Sequence, residues 1–422
     1  MDKLFGVAAG IDVHRDTVVV SIRTRKRRRE LVETKTFGTF HDELDAMCAW
    51  LREHDMEVVG MESTGVYYKP VLLALRRNVP KRPVWLVNAA AVKQVPGRKT
   101  DVNDSAWLSK LVMHGLVRPS FLPDEAQEDL RLLTRHRKKR VGDQTSCRNR
   151  IIKLLETAGF KLSRVCSDVF GKTGRAIIAA LAKGDKSAAE MAELAVGSLR
   201  NKRDDLMRAL AGDMSATKRW LLQQLIAQLS QTETAIADLD TKIVALLMPH
   251  QDEVALLQQV PGIDQVVAAT VIAEMGSDMS VFATAKKLAS WSGFAPGSYE
   301  SAGKTRDTPT RKGNRWLRTM LVQAAHAAVR MKGSPWRPSY TRLLHSTGSK
   351  KKALFAIARK LCVTLFHVLH ERVYRPYLPP PPTEATKERA KRRALEQLQS
   401  LGYEVTLAVN SPLLPPGEGA GG

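Results

Sequence analysis

The spacing of apolar positions divides the chain into an N-terminal part that alternates strands with helices and a longer part that is mainly helical. The β-branched runs "FGVAAGIDVH" and "TVVVSIRT" predict two strands joined by a tight hairpin at "HRD". A helix, a buried strand, a second helix, another strand and a third helix follow, ending at Gly115. This order predicts an α/β sheet with covering helices.

From about Asp124 the strand signals stop and helical periodicity takes over. Leu222, Leu229, Ile236 and Ile243 repeat every seven residues, with a second column offset by three, which is the pattern of a coiled coil. We expect this helix to mediate self-association, and burial against the protein's own core is the alternative.

Residues 256–276, "LLQQVPGIDQVVAATVIAEMG", predict two helices joined by a Pro-Gly turn. This pattern is similar to a helix–hairpin–helix, in which backbone N–H groups of the turn, here at Gly262, contact a phosphate without reading bases. A plain helical hairpin is the alternative.

The chain carries 66 Lys and Arg against 43 Asp and Glu, a net charge of +23. Such a charge predicts a polyanionic partner. No run of 18 or more apolar residues and no signal-peptide pattern is present, which favours nucleic acid over a membrane. The four cysteines are scattered without CxxC spacing, which indicates reduced thiols in a cytoplasmic protein rather than zinc ligands or disulfides.

Basic residues that would contact nucleic acid form three groups: a run after the second strand, a block on the first long helix, and the loop before a later helix. A solvated edge of the sheet is the alternative for the first group. The residues are Arg25, Lys26, Arg27 and Arg28; Arg135, Arg137, Lys138, Lys139 and Arg140; and Lys304, Arg306, Arg311, Lys312, Arg315 and Arg318.

Four acids are expected to meet at one edge of the predicted sheet. Asp12 and Glu62 end two strands, and Asp101 and Asp104 lie three apart at the start of a helix. The carboxyl ends of parallel strands share an edge, and four carboxylates in one volume repel unless cations neutralise them. Oxygen ligands suit Mg²⁺, so the pattern favours a ribonuclease-H-like metal site for phosphodiester chemistry. Helix caps and turn residues are the alternative reading of each acid, and His14 is expected to be a turn residue.

The loop "ESAGKTRDTPTRKGNRWLR" places Ser301 among cations. A serine hydroxyl needs a base, a metal or nearby positive charge to act as a nucleophile, whereas a cationic loop can simply hold a phosphate. From these residues alone the loop is a phosphate-binding patch, with a catalytic serine as the less favoured alternative.

The motifs "GIDVH", "MESTGVYY", "KTDVNDSAWL", "VPGI", "LASWSGFAP", "SAGK" and "RKGNRWLR" follow one another in a familiar order. Over residues 7 to about 375 the chain resembles the insertion-sequence one-ten family of transposases, also called bridge-RNA-guided DNA recombinases. The resemblance implies an α/β N-terminal domain that is ribonuclease-H/RuvC-like, then a coiled coil and a mainly α C-terminal domain with the helix–hairpin–helix-like element.

The resemblance also implies roles for individual residues. The acids of the DEDD set fall on Asp12, Glu62, Asp101 and Asp104, which would hold Mg²⁺, and the catalytic serine falls on Ser301, with Ser298 as the fallback. We therefore expect a RuvC-like domain at 1–123, a helical linker and coiled coil at 124–255, and a transposase domain at 256–375. Two parts lie outside the resemblance: an inserted helical element at residues 163–215, within the second region, and a proline-rich, basic and partly disordered tail at 376–422.

The activity implied is RNA-guided cutting and rejoining of DNA through a covalent phosphoserine. Its partners would be double-stranded donor and target DNA, a structured guide RNA and further copies of the chain, as a dimer assembling to a tetramer, in a prokaryotic cytoplasm near the nucleoid. Two alternatives remain: a metal-dependent nuclease or junction resolvase that uses water, and a non-catalytic nucleic-acid scaffold.

Overall fold

The structure, a computed structural model, describes residues 4–26, 29–62, 65–88, 92, 104–295, 300–301, 304–305, 310, 313–376 and 383–406. The chain forms two compact units, Met1–Glu128 and Asp129–Gly422.

The first unit is built on a five-stranded mixed sheet with the order β3-β2-β1-β4-β5. β1 pairs antiparallel with β2, and β2 with β3, whereas β1, β4 and β5 run parallel. The strands are β1 Val7–Val13, β2 Thr17–Lys26, β3 Arg29–Gly38, β4 Val58–Glu62 and β5 Val84–Val87.

Helices cover both faces of this sheet because its central strands are apolar on both sides. Ile11 and Met61 face a core shared with helices α1 and α2, and Ala8 and Val58 face a core shared with α3. The helices are α1 His41–Glu53, α2 Tyr68–Asn78 and α3 Asp104–Met113. The predicted α/β arrangement is therefore confirmed.

Strand β3 was missing from the predicted order of elements, which passed from the second strand directly to a helix. Most of β3 is exposed, as expected for an edge strand, so it carries no apolar signal. The prediction that the basic run beginning at Arg25 follows the second strand is also wrong, because Arg25 and Lys26 belong to β2 and Arg29 begins β3. Residues 27–28 lie outside the described residues.

Two glycines let α3 lie unusually close to the central strands. A Cβ atom on Gly10 would lie 2.1 Å from the carbonyl oxygen of Ser105, and one on Gly60 would lie 2.3 Å from a methyl carbon of Val112. At the opposite end of α3, the N–H of Leu4 donates to the carbonyl of Met113. The helix therefore runs antiparallel to β1, with its N-terminus at the carboxyl end of that strand.

The second unit is largely helical, as predicted for the C-terminal region. The long helix α4 enters it from Glu125, and a two-stranded hairpin interrupts the helices. The helices are α4 Glu125–Thr157, α5 Leu162–Val165, α6 Lys172–Lys183, α7 Ala188–Ala192, α8 Arg203–Ala209, α9 Ala216–Leu246, α10 Gln251–Gln258, α11 Gln265–Met275, α12 Ala285–Trp291, α13 Arg315–Arg330, α14 Trp336–Thr347, α15 Lys350–Glu371 and α16 Glu384–Ser400; the strands are β6 Glu300–Ser301 and β7 Lys304–Thr305.

The heptad helix α9 packs along α4 of the same chain. Leu222, Leu225 and Leu229 are buried in one core with residues of α4 and with the short helices of the 163–215 region. Glu233 continues this contact, because it accepts hydrogen bonds from Arg148 on α4 and Arg175 on α6. The heptad positions from Leu222 to Thr232, and also Ile243, are thus buried within the chain. Self-association through the other positions stays a prediction.

The charge cluster around Glu233 is one of the stronger polar contacts of this unit. Hydrogen bonds from Arg175, together with those from Arg148 and Gln144, lower the pKa of Glu233 to about 2, against the opposing effect of burial. The carboxylate therefore remains ionised at neutral pH and joins α4, α6 and α9.

By length and apolar composition, α15 is long enough to cross a membrane, and among the described residues it is the one helix that passes this test. Its apolar side chains, including Ile357, Leu361 and Leu365, are buried within the unit. They pack against α12, α13 and α14, which is typical of a core helix.

The close contact of α3 with the sheet gives a testable prediction. Replacing Gly10 with Ala should lower the free energy of unfolding by about 3 kcal/mol, because the added methyl group meets backbone atoms that have little room to move. Chemical denaturation followed by tryptophan fluorescence measures this loss.

Gly142 is the matched control, because it lies inside α4 with open space around the position of a Cβ atom. Gly142→Ala should raise the free energy of unfolding by about 1 kcal/mol, since alanine favours the helix. A Gly10→Ala variant as stable as the wild type would contradict the close packing of α3.

Candidate functional site

Three of the four predicted acids lie at one edge of the sheet. Ile11 and Met61 are the last paired residues of the parallel strands β1 and β4, and Asp12 and Glu62 follow them directly. Side chains alternate along a strand, so Asp12 and Glu62 point to the face that α3 covers. Asp104 is the first residue of α3, whose N-terminus lies at this same edge.

The turn after β1 supports Asp12. The Nε2 atom of His14 lies 3.1 Å from Oδ2 of the Asp12 carboxylate, which is mostly shielded from solvent. The backbone N–H of His14 donates to the carbonyl of Thr17 and closes the β1–β2 hairpin. His14 is therefore a turn residue, as expected, and it also orients the carboxylate.

The first turn of α3 is held against β2 by buried polar contacts. The hydroxyl groups of Ser21 and Ser105 share a hydrogen bond of 2.8 Å. The guanidinium of Arg23 donates to the carbonyl of Ala106 at 3.0 Å and to Glu30 at 2.9 Å. The position of Asp104 is thus set by the packing of α3 on the sheet and by hydrogen bonds from β2 to the first turn of the helix.

The chemistry of these acids fits a hard divalent cation, because carboxylate oxygens are the ligands that Mg²⁺ prefers. Asp101, the fourth predicted ligand, lies outside the described residues. Within the described part of the chain, no group of three or more His, Cys, Asp or Glu side chains is placed to hold a metal ion. The described acids thus share an edge without forming a complete ligand set.

The predicted serine lies at the end of a short hairpin. Ser301 in β6 pairs with Lys304 in β7, with two residues between them. The side chains of both residues, and that of Lys26, lie outside what the structure describes, so the backbone alone is placed. Other predicted site residues lie wholly outside the described residues: Arg27, Arg28, Ser298, Arg306, Arg311 and Lys312.

A buried carboxylate holds the chain where it leaves this loop. Glu274 on α11 is fully buried and forms a bidentate ion pair with Arg135, both contacts being 2.7 Å. Asn314 Nδ2 also donates to it at 2.6 Å, and Nε of Arg131 lies 3.6 Å from the same carboxylate. The Asn314 side-chain oxygen also accepts from the N–H groups of Trp316 and Leu317, which caps α13.

Sequence reasoning missed Glu274 and Asn314. The available signals were a lone acid inside the apolar run "VVAATVIAEM" and an asparagine directly before a helix. A charge in such a run needs a partner, because an unpaired buried charge is costly. These contacts fix the start of α13 and therefore the exit of the Ser301 loop.

A cleft of about 230 Å³ lies beside this network. Arg135, Lys138 and Arg315 line it together with Trp316. The Arg135 and Arg315 guanidinium groups lie 5.7 and 4.9 Å from the Trp316 ring centre, within the range of cation–π attraction. The structure thus brings together two of the basic groups that the sequence suggested separately.

The basic block on α4 is partly used inside the protein. Arg137 pairs with Asp240, Lys138 donates to Gln323 at 3.1 Å, and Arg140 donates to His136 at 3.3 Å. Lys139 is exposed, as is Arg25 in β2, while Arg318 is half-buried. Binding of nucleic acid by these residues stays a prediction, with Arg135 and Arg137 already paired to carboxylates.

The backbone conformation and the close packing of the Pro-Gly turn both require a glycine at position 262. Gly262 has a φ of +95°, and a Cβ atom there would lie 2.6 Å from the carbonyl of Ala324 on α13. The Ile263 N–H donates to the Val260 carbonyl, which closes the turn between α10 and α11. The Asp264 carboxylate caps α11 by accepting from Val267, and a phosphate contact at Gly262 stays a prediction.

Comparisons with known proteins agree over much of the chain. A family model for DEDD transposases of the IS110 type, described as "Transposase", matches residues 9–159, and one described as "Transposase IS116/IS110/IS902 family" matches residues 254–341. The chain is 28% identical over 340 residues to the insertion element IS116 uncharacterized 44.8 kDa protein of Streptomyces clavuligerus, covering 75% of this chain and 82% of that protein.

The chain is also 23% identical over 250 residues to the transposase for insertion sequence element IS1111A of Coxiella burnetii, covering 59% of this chain and 60% of that protein. Among solved structures, Thermus thermophilus RuvC is similar at a TM-score of 0.21 and 14% identity, covering 27% of this chain and 99% of that one.

The Glu274 network gives a second prediction. Glu274→Gln should lower the free energy of unfolding by about 3 kcal/mol, because it leaves Arg135 opposite a neutral group in a buried site. Hydrogen exchange at the amides of Trp316 and Leu317 should also accelerate, since Asn314 loses its anchor. Denaturation and exchange measured by mass spectrometry report the two effects.

Asp240→Asn is the control, because it also removes a carboxylate from an arginine, but this carboxylate is about half exposed whereas Glu274 is fully buried. It should cost less than about 1 kcal/mol and leave exchange at the start of α13 unchanged. Equal losses in the two variants would contradict a special role for Glu274.

Proposed function

From the premise that the chain belongs to the IS116/IS110/IS902 family of transposases, enzymes that cut and rejoin DNA, we propose that it recombines DNA under RNA guidance through a covalent phosphoserine. The observation that carries the proposal is the meeting of Asp12, Glu62 and the N-terminus of α3 at one edge of the sheet. Ser301 in its basic hairpin would supply the nucleophile.

The carboxylates would serve a divalent cation. Asp12, Glu62 and Asp104, with Asp101, would hold Mg²⁺. When bound, such an ion neutralises charge on a phosphodiester and stabilises a leaving oxygen. The contribution of this chain is to fix the acids, through the β1–β2 turn around His14 and the glycine contacts under α3.

The serine would act directly on the DNA backbone. Its Oγ attacks the phosphorus, a serine–phosphate ester forms, one P–O bond of the strand breaks, and the hydroxyl proton leaves to a base or to water. The released strand end carries a hydroxyl group, and attack on the phosphoserine by a strand hydroxyl restores a phosphodiester. The bond is thus conserved between cutting and rejoining.

The basic residues would hold the substrates during this exchange. Arg315 and Arg318 follow the Ser301 loop on α13 and would bind and orient phosphate groups. The net charge of +23 supports binding of both DNA and a structured guide RNA, in which base pairing reads the sequence while the protein reads the backbone.

We further propose an assembly in which serine and acids come from different subunits of a tetramer, located in the prokaryotic cytoplasm near the nucleoid. The exposed positions of α9, which include Trp220 and Val244, are available for such contacts within the described structure. This assembly would couple strand cleavage to the joint binding of donor and target DNA.

The proposal predicts a protein–DNA adduct that depends on one hydroxyl group. With labelled DNA, guide RNA and Mg²⁺, the wild type should give an adduct on a denaturing gel. Ser301→Ala should reduce its formation at least about a thousandfold, because no side chain is left to form the ester. Asp104→Asn should also suppress it.

Ser298→Ala is the matched control and should keep the adduct. Loss of the adduct in Ser298→Ala alone would move the nucleophile to that residue. DNA cleavage without any adduct would support water as the nucleophile, and cleavage unaffected by Mg²⁺ or by Asp104→Asn would overturn the carboxylate site.

A further inference from the structure

A long part of the second unit is basic without any acidic residue. From Thr308 to His370 the sequence has 13 Lys and Arg and no Asp or Glu, although acids make up 43 of 422 residues overall. Three packed helices, α13, α14 and α15, account for most of this stretch. Their positive charge therefore has no carboxylate on the same helices to neutralise it before Glu371.

These helices enclose an open groove of about 850 Å³, here named the α13–α15 groove. Its floor is apolar, with Leu354 and Phe355 from α15. Its rim is basic and polar, and the side chains on it are His326, Arg330, Arg337, Tyr340, Lys350 and Lys351.

The four cations of the rim are exposed. Within the described part of the chain, the side chains of Arg330, Arg337, Lys350 and Lys351 form no ion pair or hydrogen bond. On α4, in contrast, Arg135 and Arg137 are bound to carboxylates. The charge of the groove thus remains available to an external anion.

Such an arrangement costs stability in the free protein. Four like charges around one groove repel each other, and a bound polyanion relieves this repulsion while releasing its counterions. Arginine can hold a phosphate through two parallel hydrogen bonds, lysine acts as a point charge, and the hydroxyl of Tyr340 can donate to a phosphate oxygen.

We propose that the α13–α15 groove binds the sugar–phosphate backbone of double-stranded DNA. The proposal deepens the function above and rests on it for the identity of the anion, since a transposase acts on DNA. The described residues that line the groove include four cations and no carboxylate, which suits contacts with phosphate groups rather than with base edges. It would hold the duplex independently of base sequence.

The test is the salt dependence of DNA binding in a variant that removes the four charges. Fluorescence anisotropy with a labelled duplex, in the Ser301→Ala background, gives the slope of log K against log salt. Each phosphate contact contributes about 0.9 to this slope, so the variant should lower it by about 3 to 4. The substitutions are Arg330→Gln, Arg337→Gln, Lys350→Gln and Lys351→Gln.

A second variant with the same loss of charge is the control. It changes four exposed cations of the 163–215 region, which lies outside the groove, and should lower the slope by less than about 1. Its substitutions are Lys172→Gln, Lys183→Gln, Lys186→Gln and Arg208→Gln. A Lys350→Arg/Lys351→Arg variant keeps both charges and should keep the wild-type slope. It therefore shows whether the effect of the Gln substitutions comes from lost charge or from a disturbed fold.

The outcomes decide the proposal. Equal changes of slope in the groove variant and its control would overturn it, as would an unchanged slope in the groove variant. The proposal would also be overturned if the groove variant lost affinity for duplex RNA of the same sequence but not for duplex DNA, because the groove would then bind RNA. Because the binding assay needs neither Ser301 nor cleavage, failure of the phosphoserine chemistry would leave this result intact.

Discussion

The contact between α3 and two glycines of the central strands is the constraint on which the candidate site depends. At Gly10 and Gly60 there is no room for a Cβ atom between strand and helix. The backbone of α3 therefore lies directly on β1, its Val112 side chain packs on Gly60 of β4, and the helix begins where these strands end. Without that approach, Asp104 would be displaced from the edge that carries Asp12 and Glu62.

The basic residues of the second unit are of two kinds. Some are bound to carboxylates of the same chain, and others are free to bind an external anion. Arg135 is bound to the buried Glu274, and Arg175 is bound to Glu233, so both stabilise the packing of helices. The cations around the α13–α15 groove have no such partners in the described structure. A net charge of +23 alone does not make this distinction, because it counts both kinds equally.

The sequence was sufficient to predict those elements that depend on a local pattern of residues. Alternating apolar runs predicted β1, β2, β4 and β5, and the strand ends predicted that Asp12 and Glu62 share an edge. It was insufficient where partners are distant: β3 is an exposed edge strand without apolar signal, and Glu274 depends on Arg135 and Asn314, far away in sequence. Heptad spacing likewise could not specify that α9 packs on α4 of its own chain.

The central claim is that the acids at the carboxyl edge of the sheet hold a divalent cation. Replacing Mg²⁺ with Fe²⁺ and adding peroxide generates radicals that cut the backbone next to the bound metal. The account predicts cuts near Asp12, Glu62 and residues 101–104 that disappear in Asp12→Asn and Glu62→Gln. Cuts elsewhere, or cuts at this edge that persist in both variants, would contradict it.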